Sequence, residues 1–307
     1  MLAALLLAAA PPGTITRVDP LAIADDDFAR HRERATWRGL RVERITFTEE
    51  RATWRLWRIA ARKRGPLWFV PHDDENAGFD AALVAVRRHG GTIVAVDSGL
   101  VPGDDGRRRN SAVAFGHAID PNRNFHDGLP RYPAQVLASL ARGDGPIIAL
   151  HTNSPGYNIR ASTCPRPGDA PGEGVISIRF CSAVLTPSPS RARRYPFDDD
   201  DSVAFATFLA SKGRDSAYCG RQMAATDFNV VFERVTNSDG SLSNYAALRG
   251  LAYLNFETQE RGLEPTRLAD ARDRLSWMID RALALCPAAR PRATAAPRSR
   301  TPARRLR

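Results

Sequence analysis

The chain has 307 residues, 43% of them apolar and 25% charged, with a formal charge of +10. That balance excludes a disordered or fibrous chain and suffices for one substantial core; a single α/β domain over residues 20–286 is expected, with two smaller domains as the alternative. The longest apolar run, residues 1–10, has about half of the roughly 20 residues that a membrane crossing needs, which excludes a transmembrane span there.

Residues 1–10 (MLAALLLAAA) run into Pro11-Pro12 and look like the remnant of a secretory signal without its basic start. Export to a periplasm or the medium is expected, with a cytoplasmic location as the alternative. Residues 42–60 alternate as a hairpin turning near Glu49-Glu50, and residues 66–70 read as a short buried strand. Residues 76–89 carry Phe79, Leu83, Val84 and Val86 on a helical stripe that stops at Gly90-Gly91, and residues 92–96 form the next strand. That strand–helix–strand unit is the building block of a parallel sheet. A strand at 112–115, a long loop to Phe125, a helix over 133–141 and a strand at 146–150 follow. Residues 153–200 are rich in Pro, Gly, Ser and Arg, an insertion of the kind that shapes a substrate pocket. Strands are expected at 229–235 and 251–256. After Pro265, residues Leu268, Leu275, Ile279, Ala282 and Leu285 give a closing helix. There is no internal repeat.

Cys164, Cys181, Cys219 and Cys286 include no C-x-x-C pair, which argues against a thiolate zinc site and permits two disulfides. Cys164–Cys181 with Cys219–Cys286 is the simplest pairing, and buried free thiols are the alternative. Seven arginines and no acidic residue lie between Arg290 and Arg307, so residues 287–307 read as a disordered basic tail and the remaining body carries about +3. Only Lys63 and Lys212 are lysines, which points to an arginine bias of composition more than to phosphate contacts. No specific nucleic-acid partner is expected, although the tail suits salt-sensitive contact with anionic polymers.

Four polar signatures stand out: His72-Asp73-Asp74-Glu75, Asp120-Pro121-Asn122-Arg123-Asn124-Phe125, His151-Thr152-Asn153 and Asn255-Phe256-Glu257. Three follow short apolar runs, which delivers their side chains to the sheet edge where α/β proteins bind ligands. Two histidines and a carboxylate form a catalytic zinc donor set, and a further glutamate nearby serves as general base. Each signature alone is ambiguous, because a glutamate at a helix start is favoured by the helix dipole without any metal. Asp73 and Asp74 either orient the imidazole or are solvated acids. His31 and His89 are expected at the surface, while His117 and His126 flank Asn122-Arg123 as further pocket candidates. A guanidinium at Arg123 with the amide of Asn122 can grip a carboxylate.

Taken in order, these motifs resemble the zinc carboxypeptidase superfamily, whose relatives include succinylglutamate desuccinylase and aspartoacylase. The string DPNRNF is the most specific element, and the resemblance covers roughly residues 65–260. It implies an α/β fold with a mixed, mostly parallel twisted sheet flanked by helices, and one Zn2+ per chain on His72, Glu75 and His151. It also implies Asn122 and Arg123 on the substrate carboxylate and Glu257 as general base. The carbonyl-polarising arginine falls among Arg107, Arg108 and Arg109, with Arg109 selected here. The substrate-capping tyrosine is Tyr245, with Tyr253 and Tyr157 as alternatives. The implied activity is hydrolysis of an amide bond near a free carboxylate, on a cell-wall or periplasmic peptide. An N-acyl amino-acid deacylase and a non-catalytic carboxylate-binding module are the alternatives.

Overall fold

The alternation over residues 42–60 is realised as a hairpin of β2 (Leu40–Glu49) and β3 (Ala52–Ala61), turning at Glu50, which adopts a left-handed φ of 53°. In β3, Trp57 and Ile59 pack on one face of the sheet and Trp54 and Leu56 on the other, as the two-residue period of a strand requires. The computed structural model describes residues 13–50, 52–99, 113–114, 117–118, 120–142, 145–154, 176–177 and 180–286. The proposed signal remnant and the basic tail lie outside these residues.

The apolar run before His72 is β4 (Leu67–Val70), all four residues buried. It leads into α3 (Asn76–His89), which ends at Gly90-Gly91 before β5 (Thr92–Val96). Gly91 is required there, because a Cβ would lie 2.0 Å from the Pro66 carbonyl oxygen. The run before His151 is β8 (Ile147–Asn153), and that around Glu257 is β12 (Tyr253–Gln259). These four strands are parallel neighbours in the order β5-β4-β8-β12.

On either side the sheet continues with β1 (Thr14–Arg17), β9 (Leu185–Ser188), β10 (Val203–Leu209) and β11 (Val230–Val235). The full order is β1-β2-β3-β5-β4-β8-β12-β10-β11-β9. Four of the nine pairings are parallel and five antiparallel, so the sheet is mixed with a parallel centre, and "mostly parallel" overstates it. The outer strands return through hairpins and short crossings, which favours antiparallel partners. Of the strand expected at 112–115, the described residues form β6 (Val113–Ala114), paired with β7 (His117–Ala118) outside the main sheet.

Helices cover both faces. The short α1 (Asp26–Ala29) and α2 (Arg34–Trp37) precede the hairpin, and α5 (Gly220–Ala225) follows β10. The closing helix α7 (Pro265–Leu285) packs with α3 on one face, burying Leu268, Leu275, Met278 and Ile279. On the other face lie α4 (Arg131–Val136) and α6 (Leu242–Arg249), around Tyr132, Val136, Leu242 and Ala246. No helix among the described residues is long and apolar enough to cross a membrane. A disulfide joins Cys219 to Cys286, one of the two expected pairings, across 67 residues of sequence. Cys181 is also disulfide-bonded, and Cys164 lies outside the described residues.

Asp73 accepts from the Ser98 backbone N–H at 2.8 Å and the Ser98 hydroxyl at 2.5 Å. It is 3% exposed and lies with Asp25 and Asp97 in a buried carboxylate group, so it is not a solvated acid. Arg44 supplies a counter-charge to Asp97 at 2.7 Å. Burial first, then the charges of Asp73 and Asp97, push Asp25 up to about 7. Burial, against the Ser98 hydrogen bonds, pushes Asp73 up to about 6.

A carboxyl raised above its unfolded value of 3.8 keeps its proton longer in the native state, so this pair lowers stability as pH rises from about 4 to about 7. Asp25→Asn removes that penalty. Its stability relative to the native chain, measured by urea unfolding, is expected to improve by about 2 kcal/mol between pH 5 and pH 8. A difference independent of pH would show that Asp25 holds no such proton.

Candidate metal centre

The site forms where β4 and β8 lie side by side and the chain leaves them in different directions. From β4 it crosses through α3 on one face to β5; it reaches β8 after α4, on the opposite face. A crevice outside the carboxyl ends of parallel strands at such a switch point is the usual ligand position in open α/β sheets. His72 follows β4, His151 is within β8, and Glu75 is the residue capping the start of α3. Strand period places His151 on the face of Ile147 and Ala149, and Glu257, its direct neighbour in the ladder, on the same face. Gly78 lets α3 approach β8 closely, since a Cβ there would meet the Leu150 carbonyl oxygen at 3.3 Å.

His72, Glu75 and His151 are each 5% exposed or less. The Nδ1 atom of His72 lies 2.8 Å from Glu75 Oε1 and 3.2 Å from Nδ1 of His151, which is itself 3.2 Å from Glu75 Oε2. The second carboxylate oxygen also accepts from the Thr152 backbone N–H at 2.9 Å. Nε2 of His72 faces Asp120 Oδ1 at 2.8 Å. Burial alone would raise the Glu75 carboxyl, but the charges and hydrogen bonds of His72 and His151 overcome it and hold Glu75 far below the usual carboxylate range.

This geometry tests whether a metal fits. If Nε2 of His72 donates its proton to Asp120 in a neutral imidazole, then Nδ1 presents a lone pair to a carboxylate 2.8 Å away, which is repulsive. A positive charge at the centre, either a second proton on His72 or a shared cation, removes that repulsion. Donors around a tetrahedral zinc with bonds of 2.0–2.2 Å are about 3.3–3.6 Å apart, a small expansion from the separations here. The residues fit such an ion, and Asp120 stands where an outer carboxylate fixes a ligand's tautomer. Nε2 of His151 is buried with no hydrogen-bond partner among the described residues, so the polar contacts that ring makes with them are through Nδ1, on the cluster side.

Glu257 is half-buried, accepting from Asn255 Nδ2 at 3.1 Å and approached by Asn153 Nδ2 at 3.5 Å. Burial raises its carboxyl, the His151 charge lowers it, and Glu75 raises it again, for a net upward shift.

Other expected site residues fall elsewhere or in different company. Asn122 lies in a short 3-10 turn, Pro121–Arg123, capped by Asp120, with its Oδ1 buried and unpaired among the described residues. Arg123 is exposed and pairs with Asp239 at 2.5 Å. The Tyr245 ring lies on α6 against Phe125, with the Arg249 guanidinium 3.5 Å above it. Tyr253 is buried in the core. Arg107, Arg108, Arg109 and Tyr157 lie outside the described residues. His126 contacts the Arg123 carbonyl oxygen at 3.0 Å. His31 and His89 are half-buried and pair with Asp80 and Asp280, so neither is the free surface group expected. The role of Asp120 beside His72 was missed; its one sequence signal is an aspartate before proline, which here caps a turn.

The fold and the site together define a mixed α/β protein with a buried two-histidine, one-carboxylate group at the carboxyl edge of its central strands. No protein-family model matches the sequence, and no curated protein matches it. Among solved structures, the chain is similar to a succinylglutamate desuccinylase/aspartoacylase from Rhodobacter sphaeroides, at 14% identity over 80% of this chain and 64% of that one, with a TM-score of 0.37. It is also similar to a succinylglutamate desuccinylase from Silicibacter sp. TM1040, at 13% identity over 87% and 69%, with a TM-score of 0.40. A third is bovine thrombin-activatable fibrinolysis inhibitor in complex with tick carboxypeptidase inhibitor, at 12% identity over 80% and 90%, with a TM-score of 0.39. The chain thus spans slightly less than two thirds of the first of these. The chemistry has to be taken from this chain's own side chains.

Proposed function

We propose that this protein is a zinc-dependent hydrolase of carboxypeptidase type that cleaves an amide bond near a free carboxylate. The observation that carries this is the convergence of His72, Glu75 and His151 on one buried point, with Glu257 on the adjacent strand. Zinc held by these three side chains would polarise the amide carbonyl and activate water.

The chain's own residues do the rest. Glu257 takes a proton from the attacking water onto a carboxylate oxygen and passes it to the departing nitrogen. Its raised proton affinity brings it closer to the working pH, which improves a general base. Asp120 holds His72 in one orientation. Asn122 and Arg123 are assigned to the substrate carboxylate, with Arg123 leaving Asp239 to engage it; an exposed ion pair of this kind is worth no more than about 1 kcal/mol and exchanges readily. The Cys219–Cys286 disulfide supports an oxidising compartment, and with it an exported enzyme acting on cell-wall or periplasmic peptides.

The test is turnover by the zinc-loaded chain on a panel of peptides with free C-termini and of short N-acyl amino acids. Peptide cleavage is the expected result. Preference for the acyl amino acids would make the protein a deacylase with the same metal group. Zinc binding without turnover of either set would leave a carboxylate-binding module.

A further inference from the structure

The signatures His151-Thr152-Asn153 and Asn255-Phe256-Glu257 each contain an asparagine that the metal group does not use. Asn255 precedes Glu257 by two residues on β12 and so shares its face, while Asn153 is two residues beyond His151 on the same face of β8. They are 8% and 7% exposed. Asn255 Nδ2 donates to Glu257 Oε1 at 3.1 Å. Asn153 Nδ2 is anchored on the Asp201 carbonyl oxygen at 3.1 Å and reaches the other Glu257 oxygen at 3.5 Å.

In both asparagines the Oδ1 atom is buried without a hydrogen-bond partner among the described residues. An asparagine that only ties strands together is expected to satisfy both ends of its amide, since a buried unpaired acceptor is costly. Here each amide spends its donor end beside one carboxylate and leaves its acceptor end open. No other side chain among the described residues hydrogen-bonds to Glu257.

We infer that Asn255, backed by Asn153, is a positioning residue that clamps the Glu257 carboxylate in one rotamer, with its lone pairs directed toward the reacting water. The inference rests on the hydrolase proposal for the purpose of the clamp, but the clamp itself is a property of the protein without metal. Asn255 is the stronger grip, because the Asn153 contact is long and shared with Asp201. The amide donors also favour the charged form of Glu257, opposing the effect of its burial.

The discriminating variants are Asn255→Ala, which removes the donor, and Asn255→Asp, which keeps the volume but turns an acceptor toward Glu257. A packing role predicts that the isosteric Asp variant is the milder. A clamp predicts the reverse: kcat lowered about tenfold in the Ala variant and further in the Asp variant, with KM within about twofold and zinc content unchanged. A second measurement does not depend on turnover. Carbon-13 NMR of labelled glutamate in the metal-free chain, with Glu257 assigned by its absence in Glu257→Gln, follows the ionisation of that carboxyl. The clamp predicts a higher midpoint in the Ala variant than in the native chain, and a higher one still in the Asp variant. Unchanged midpoints would overturn the clamp, as would native kcat in Asn255→Asp. If the native chain hydrolyses nothing while the midpoints move as expected, the clamp stands and the hydrolase proposal falls.

Discussion

Replacing Glu257 with glutamine is expected to abolish measurable turnover of the proposed hydrolase and to leave metal binding intact. Glutamine keeps the shape of the side chain and an oxygen that can still accept from Asn255, so the local packing survives. What is lost is the ability to take and return a proton, a contribution on the order of 10²–10⁴ in rate. No metal donor is touched, because His72, Glu75 and His151 contact one another and no direct contact to Glu257 is needed to hold them. The pH profile adds a second check. The native Glu257 carboxyl is raised above the usual glutamate range, so kcat/KM falls as pH drops through that raised value and the base becomes protonated. Turnover by the glutamine variant within about twofold of native would remove Glu257 from the mechanism. Loss of metal in the variant would assign it a structural role at the site.

The parts of the site legible in the sequence were those encoded by local contrast. A histidine or glutamate placed directly after a run such as Leu67–Val70, or within one such as Ile147–Asn153, is conspicuous because the strand has to be buried and its end has to emerge. Helix α3 with its Gly90-Gly91 stop and helix α7 with its apolar stripe were legible for the same reason. The pairings that complete the site were not. Nothing local to Asp73 indicates that it turns to Ser98, or that Asp120, 48 residues from His72, takes the place beside the imidazole.

Edge elements were equally silent. Strand β1 is exposed along its whole length, and β9 carries Pro187, tolerable because the sheet ends there. Strand β10 was missed despite its seven apolar-rich residues, because a short, nearly continuous apolar run has no periodicity to separate strand from helix. Helix α6 is short and weakly amphipathic, and its signals are the caps, the Ser241 hydroxyl oxygen accepting from the Asn244 N–H and Gly250 in the left-handed conformation. The parallel pairing of the central strand–helix–strand unit does not extend to the outer strands, where connection geometry takes over.

Removing one histidine from the centre decides what supplies its positive charge. The native chain is expected to bind about one zinc, measured by elemental mass spectrometry after dialysis, and His151→Ala is expected to retain none. Loss of a donor leaves only His72 and Glu75, too few for the three-donor set that holds catalytic zinc. Asp120→Asn provides a graded comparison: it perturbs only the outer partner of His72, and outer partners typically change metal affinity by about 10–100-fold. Stability gives the same answer independently, since an ion that binds only the folded chain raises its unfolding temperature in proportion to ln(1 + [L]/Kd). Zinc should therefore raise the unfolding temperature of the native chain, raise that of Asp120→Asn less, and leave that of His151→Ala where it was. The competing account places a second proton on His72 as the central charge. It predicts no zinc in the native chain even after reconstitution, and no thermal shift in any of the three proteins, and that result would remove the metal on which the proposed hydrolysis depends.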